Sequence, residues 1–247
     1  MKSQNKLVVK SNDIIQRARF SLSLQEHRLI DFLISLIRQN DEQFKEYEFD
    51  IQSFCKLFGI DYKNGKNRSN LKTALQTLSD KSMWVEIDGE ETLVRWITKP
   101  KINAKTRKIK VSLDEDMMPF LLHLSRNFTA YEIGYTSRFT SSYSHPLYEF
   151  IKSIHYHELD PIDYTISVGE LKLRMGVLEG YDKFSDKIVS YEPQYTKRAI
   201  THIRLHIETK DVDERVRLMS EAFDDDTLAL LLEEPHVQTS DDEYVEI

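Results

Sequence analysis

Six basic side chains lie in the stretch "KPKINAKTRKIKV", residues 99–111, which contains no Asp or Glu. Lys and Arg neutralise the phosphates of nucleic acids, and each neutralised phosphate releases counterions. We therefore predict that this segment contacts a nucleic-acid backbone, the alternative being an ordinary solvated hairpin. The predicted contact residues are Lys99, Lys101, Lys105, Arg107, Lys108 and Lys110.

A second group of polar side chains belongs to the predicted helix "NLKTALQTLSD" at residues 70–80. Leu71, Leu75 and Leu78 share one face and predict its buried side. The outer face carries groups that can contact phosphates and base edges in the major groove of duplex DNA. Residues at the start of the helix and just before it are included, so the predicted contacts are Lys66, Arg68, Asn70, Lys72, Thr73 and Gln76.

A third group lies in "QYTKRAITHIRLHIE", residues 194–208, which the spacing of apolar residues predicts to be a helix. One side would be apolar and buried. The other would present polar groups to a major groove, unless it is simply the solvated face of an amphipathic helix. The predicted contacts are Gln194, Lys197, Arg198, Thr201 and His202.

Two histidine pairs are candidate metal ligands. His155 and His157 in "HYH" resemble the His-hydrophobe-His motif of rolling-circle nicking enzymes, but that motif belongs on a strand and here it ends a predicted helix. His202 and His206 have i,i+4 spacing without the general-base Glu of zinc enzymes. Because P-loops and serine nucleophile elbows are also missing, we predict no catalytic residue, metal or cofactor.

The elements that would position these side chains form a winged helix. Two predicted helices, "IQSFCKLFG" and "NLKTALQTLSD", are joined by a short polar turn and followed by strands. A helix-turn-helix followed by a β-hairpin is the winged-helix pattern. On this interpretation the basic stretch is the wing, and residues 103–106 form its tip.

The second half of the chain repeats this order. A helix over "SSYSHPLYEFIKSI", a strand over "DYTISV" and a short helix over "GELKLRMG" precede the helix predicted at residues 194–208. We therefore predict an α+β protein of two tandem winged-helix domains with an acidic tail. The predicted bounds are 1–127 for the first domain (dimerisation and backbone contact), 128–218 for the second (DNA recognition) and 219–247 for the tail.

Charge is distributed unevenly along the chain. The formal net charge is −7, yet residues 1–110 hold 21 Lys and Arg against 14 Asp and Glu, whereas residues 211–247 hold 2 against 13. The acidity is therefore largely confined to the tail, and the first half is basic, as expected for a polyanionic partner. No apolar run of membrane-spanning length and no signal peptide are evident, and one cysteine excludes an internal disulfide, so we expect a cytoplasmic protein.

Four blocks of the sequence resemble the iteron-binding plasmid replication initiators. In order they are "VVKSNDIIQRARFSLSLQEHRLIDFLISLI", "FLLHLSRNFTAYEIGYTSRFTSSYSHPLYEFI", "ISVGELKLRMGV" and "YTKRAITHIRLHIETKD". The resemblance covers roughly residues 7–212. It implies two winged-helix domains that bind direct repeats at a plasmid origin, with recruitment of the host replication initiator and helicase machinery. A monomer–homodimer equilibrium and repression of the protein's own gene are further implications.

One departure from this family pattern concerns the second wing. Members continue after the last recognition-type helix with a basic, aromatic hairpin, whereas here the acidic "DVDERVRLMSEAFDDDTLALLLEEP" follows residue 210. We therefore expect the second wing to be missing.

The resulting prediction is a non-enzymatic protein that binds duplex DNA sequence-specifically and initiates plasmid replication. Three alternatives remain open: a dimeric transcriptional repressor, a metal-dependent rolling-circle nickase, and a protein-interaction module that has lost DNA binding.

Overall fold

The structure is a computed structural model of the chain. It describes residues 7–18, 21–38, 41–87, 89–155, 162–175, 191–196 and 199–207.

The first part of the chain contains a helix-turn-helix followed by two hairpins. Its elements are β1 (Leu7–Ser11), α1 (Asn12–Gln16), α2 (Leu24–Ile34), β2 (Tyr47–Asp50), α3 (Ile51–Leu57), α4 (Gly65–Asp80), β3 (Ser82–Ile87), β4 (Glu90–Arg95), β5 (Ile97–Asn103) and β6 (Lys108–Leu113).

The start of helix α2 is fixed by a capping box. Ser23 and Glu26 form a reciprocal capping box, in which the Glu26 amide donates to the Ser23 hydroxyl and the Ser23 amide donates to the Glu26 carboxylate. The rest of the helix is almost wholly buried, with Leu29 and Leu33 fully inaccessible to solvent.

Three of the strands form an antiparallel sheet in the order β2-β6-β5, and β3 pairs with β4 in a separate hairpin. Alternation along β6 places Ile109, Val111 and Leu113 in the core and leaves Lys108 and Lys110 exposed. Strand β4 ends at Arg95 and β5 begins at Ile97, with the buried Trp96 between them, and the two strands belong to different sheets.

A connecting region follows and packs on the same core. Its elements are a 3-10 turn (Glu115–Met117), α5 (Met118–Leu121), β7 (Phe128–Glu132) and α6 (Ile133–Ser137). Strand β7 pairs antiparallel with β1, and Tyr131 and Ile133 lie in the large hydrophobic core. The domain boundaries stay predictions, although residues 128–133 pack with the first core.

The remaining described elements repeat the first topology. They are α7 (Ser144–Ile154), β8 (Ile162–Ser167), α8 (Val168–Arg174), β9 (Tyr191–Thr196) and β10 (Ala199–Ile207). The strand order β8-β10-β9 matches β2-β6-β5, since in both sheets a strand preceding a helix pairs with the second strand of a later hairpin. A separate small core contains Phe150, Ile166, Leu171, Ile203 and Leu205. The predicted α+β fold with two tandem winged helices is confirmed.

The predicted helix at residues 194–208 is wrong, because this segment contributes strands β9 and β10. Burial along β10 alternates: Ile203 and Leu205 are buried, and Arg204 between them is exposed. A helix burying Ile203 and Ile207 would have turned Leu205 away from the core. The β-branched content of the segment also favours a strand.

The expectation that the second wing is missing is therefore also wrong. The hairpin β9–β10 occupies the place in the second unit that β5–β6 occupies in the first. The acidic sequence after residue 210 follows this hairpin and does not replace it.

A buried ionic cluster joins the first core to α7. Lys10 on β1 is 3% exposed, and its ammonium donates to Asp31 on α2 (3.0 Å) and to Glu149 on α7 (2.5 Å). The Tyr131 hydroxyl contacts both carboxylates, and His145 Nε2 lies 3.2 Å from Asp31. The cluster thus holds α7, the first helix of the second unit, against β1 and α2.

The carboxylate of Asp31 makes stability depend on acidity. Burial alone would raise the pKa of Asp31, but Lys10, His145 and Thr136 outweigh it and hold that pKa far below its usual range. A carboxyl group with a lowered folded-state pKa stabilises the fold above its unfolded-state value, near 3.8, and this stabilisation is lost as pH falls below that.

We therefore expect the free energy of unfolding to fall as pH drops below about 4, and the Asp31→Asn variant to show a flatter dependence there. Denaturant titrations from pH 6 to about pH 2 measure both slopes. Equal slopes for the wild type and the variant would show that Asp31 does not cause the loss of stability at acidic pH.

Candidate nucleic-acid interface

Helix α4 begins five residues earlier than the sequence indicated. The Asn64 side chain accepts from the Lys66 amide and caps the helix, so Lys66 and Arg68 lie in its first turns and not in the preceding loop. At the other end, Glu26 on α2 accepts from Thr77 (2.6 Å) and from Lys81 (2.7 Å). Since Glu26 is also in the capping box of α2, its carboxylate links the start of α2 to the end of α4.

The six polar residues predicted on this helix are all exposed, but they occupy two flanks. Arg68, Lys72 and Gln76 line a groove between α4 and the hairpin β5–β6. Lys66, Asn70 and Thr73 lie on the other flank, the side on which Thr77 contacts α2. The helix therefore presents three of the predicted contacts to the wing and three away from it.

The groove itself is open and has a volume of about 800 Å³. Its far wall is formed by Pro100, Ile102 and Ala104 of the wing, and Ile102 is 42% exposed. The guanidinium of Arg68 stacks 5.4 Å from the ring centroid of Tyr62, which also lines the groove. A helix of this kind fits the major groove of B-DNA, and a wing beside it lies across the adjoining backbone.

The tip of the wing is shaped by its own side chains. The Asn103 side-chain oxygen accepts from the amides of Lys105 (3.0 Å) and Thr106 (3.1 Å), and Arg107 has a φ of +56°. Asn at the first position of a turn commonly makes such bonds. The predicted tip at residues 103–106 is confirmed in outline, with strands ending at Asn103 and restarting at Lys108.

The six cations of the wing are not equivalent. Lys101, Lys108 and Lys110 lie on the sheet face opposite Ile102, where they pair with Glu46, the residue before β2, and with Glu48 on β2. Among the residues that the structure describes, no ion pair reaches Lys99, Lys105 or Arg107. Half of these cations therefore have acidic partners, which are absent from the local sequence and lie 55 to 64 residues upstream.

The third group of predicted contacts does not form one helical face. Gln194 lies on β9 and pairs in register with His202 on β10, beside Thr201. Lys197 and Arg198 stand between the two strands in the sequence and lie outside the described residues. The DNA contacts of these five residues stay predictions, now on a hairpin that corresponds to the first wing.

Neither histidine pair gains support as a metal site. His155 ends α7 as its C-cap, whereas His157 and the side chain of His206 are outside the described part of the chain. Within the described residues, no group of three or more His, Cys, Asp or Glu could hold a metal ion. Cys55 is a buried free thiol.

The repeated topology, the groove beside α4 and the cationic wing tip define a protein of two tandem winged helices. The chain belongs to the family of replication initiator proteins: the family model described as "Initiator Replication protein, WH1" matches residues 7–152, more than half of its length. The resemblance inferred from the sequence is confirmed.

A solved structure supports the same fold over most of the chain. The crystal structure of Pi initiator protein in complex with iteron DNA superposes with a TM-score of 0.65 and covers 84% of this chain and 99% of that one. Sequence identity is 16%, so the likeness concerns the fold. No helix in the described part of this chain is long and apolar enough to cross a membrane.

Proposed function

We propose that this protein binds short direct repeats in duplex DNA at a plasmid origin and thereby initiates replication. The observation that carries the proposal is membership of the replication initiator family. The complex of Pi initiator protein with iteron DNA, which has the same fold, supplies the class of DNA site.

The tandem arrangement favours direct over inverted repeats. A two-fold symmetric dimer reads an inverted repeat, because the symmetry of the site mirrors that of the protein. Two non-identical winged helices in one chain have no such symmetry, so a single protomer reads a site with a direction. Several protomers then occupy an array of direct repeats.

Each unit contributes a different kind of contact in this proposal. Arg68, Lys72 and Gln76 approach base edges and phosphates from the groove beside α4, and Lys105 and Arg107 contact phosphates from the wing tip. Gln194, Lys197, Arg198, Thr201 and His202 would contact DNA from the second hairpin.

Activity in this proposal requires no catalytic residue, metal or cofactor, and the host replication initiator and helicase machinery would be recruited to the bound origin. A monomer–homodimer equilibrium and repression of the protein's own gene are part of the same proposal. A nickase would instead relax supercoiled DNA with Mg²⁺ or Mn²⁺ and lose this activity in the His155→Ala/His157→Ala variant.

Binding-site selection from random duplexes tests the proposal. We expect one motif to be enriched and to recur in the same orientation in a footprint on the plasmid DNA that flanks the gene. Motifs in inverted orientation would favour a dimeric repressor, and no enrichment would favour a protein-interaction module.

A further inference from the structure

The solvent face of the sheet β2-β6-β5 carries an interleaved set of charges at Glu46, Glu48, Lys101, Lys108 and Lys110. We infer that Glu46 and Glu48 confine the phosphate contacts of the first wing to its tip and so limit sequence-independent DNA binding. This inference rests on the proposed binding of duplex DNA.

Each lysine of this face contacts a carboxylate. Lys101 Nζ lies 2.6 Å from Glu46, Lys108 Nζ lies 2.5 Å from Glu48, and Lys110 Nζ lies 3.1 Å from Glu48 and 3.8 Å from Glu46. The hydrogen bond from Lys108 lowers the pKa of Glu48, and the bond from Lys101 lowers that of Glu46. Both acids are therefore ionised at neutral pH.

The register of the hairpin explains why acids are needed here. Lys101 on β5 stands directly opposite Lys110 on β6, and like charges in that position destabilise a sheet. Glu46 reaches both ammonium groups and offsets this repulsion. Three lysines and two glutamates leave this face with a net charge of +1 instead of +3.

The tip differs from the face in charge and in position. Lys105 and Arg107 are exposed, and no described acid pairs with either of them. Ile102 borders the groove beside α4 and Lys101 lies on the opposite face of the sheet, so DNA seated against α4 meets the tip first. A duplex bound without regard to sequence could also approach the sheet face, where every lysine already has a carboxylate partner.

The consequence for binding follows from counterion release. Sequence-independent affinity rises with the number of phosphates neutralised. Each neutralised phosphate steepens the slope of log affinity against log salt by about 0.9. A phosphate approaching Lys108 or Lys110 would have to displace the Glu48 carboxylate from the lysine, and the negative charge of that carboxylate would still repel the phosphate. The two acids thus keep the number of phosphate contacts small. As a result, base-specific contacts contribute a larger share of the total binding free energy.

The test compares full-length Glu46→Gln/Glu48→Gln with the wild type on a random-sequence duplex, using fluorescence anisotropy over a range of salt concentrations. We expect the variant to bind more tightly, with a salt slope steeper by about 0.9 per released lysine and by at most about 2.7. Glu90→Gln/Glu91→Gln on the exposed strand β4 removes the same charge elsewhere and is expected to leave the slope near that of the wild type.

Equal steepening in the two double variants, or no steepening in the first, would overturn the inference. If thermal unfolding shows that the Glu46→Gln/Glu48→Gln variant is destabilised, Glu48→Gln alone decides, because Glu46 then still separates Lys101 from Lys110 and only Lys108 is fully released. That variant should steepen the slope by about 0.9, and an unchanged slope would refute the inference. A wild type that binds no duplex at all would instead refute the proposed function.

Discussion

Replacing Lys10 with methionine should lower the free energy of unfolding by about 3–5 kcal/mol. The substitution leaves Asp31 and Glu149 facing each other across the Tyr131 hydroxyl in a site closed to water. Removing one partner of a buried ion pair is costly because the desolvated charge that remains has lost its counterion. Here one ammonium group contacts two carboxylates, so both lose that contact at once.

Denaturant unfolding followed by tryptophan fluorescence measures this loss, because the buried Trp96 has its ring centroid 6.0 Å from Lys10 Nζ. Lys45→Met is the matched control. It removes an equally short but exposed pair with Asp41 (2.9 Å) and should cost at most about 1 kcal/mol. A Lys10→Met variant within 1 kcal/mol of the wild type, as a rough bound, would show that the cluster is not a buried ionic site.

The Arg68→Ala/Lys72→Ala variant should lose much of its affinity for duplex DNA. Both side chains line the groove between α4 and the wing. Two lost phosphate contacts flatten the slope of log affinity against log salt by about 1.8, which corresponds to about 30-fold weaker binding near physiological salt. Any base contacts made by the same residues add to that loss.

Lys101→Ala/Lys110→Ala provides the charge-matched control for this experiment. It also removes two positive charges, but from the sheet face that carries Glu46 and Glu48. We expect its slope to change by less than one phosphate contact, about 0.9. Equal losses in the two variants would mean that net charge, and not the groove beside α4, determines DNA binding.

The local sequence was sufficient to predict the first winged helix. The leucines at helical spacing in α4, the capping box of α2 and the alternation along β6 each involve only residues that are close in sequence. Helix α4 was predicted too short because its cap at Asn64 lies in a polar run that also fits a turn. Strands β1 and β7 were not predicted, since each is short and its partner lies about 120 residues away.

The second hairpin shows how two periodicities can share one sequence. Ile203 and Ile207 fit both a helical stripe and an alternating strand, and only the burial of Leu205 decides between them. The apolar stripe predicts a helix here, and this wrong prediction leads to the second one, a missing wing. Pro193 within β9 and the β-branched residues of β10 were the available signals for strands.

The electrostatics of the site depend on contacts that are distant in sequence. The wing has six cations and no acid nearby in sequence, which predicts phosphate contacts for all six, yet Glu46 and Glu48 at the beginning of the β2 segment pair with three of them. Lys10 gave no sign of being buried, since nothing near it in sequence identifies Glu149 as its partner. Charge patterns along the chain thus predict the partner class but not which charges remain available to it.

The measurement that tests the central claim most directly is the affinity for a duplex carrying two direct copies of the selected motif, compared with a shuffled duplex of equal length and composition. Performed at moderate salt, it should show a preference of about 10³-fold or more, within the range of sequence-specific DNA-binding proteins. Inverting one copy leaves two sites that each bind one protomer, so we expect only the cooperativity between neighbouring protomers to fall. Equal affinity for the direct-repeat and shuffled duplexes would contradict the assignment of this chain as a sequence-specific initiator.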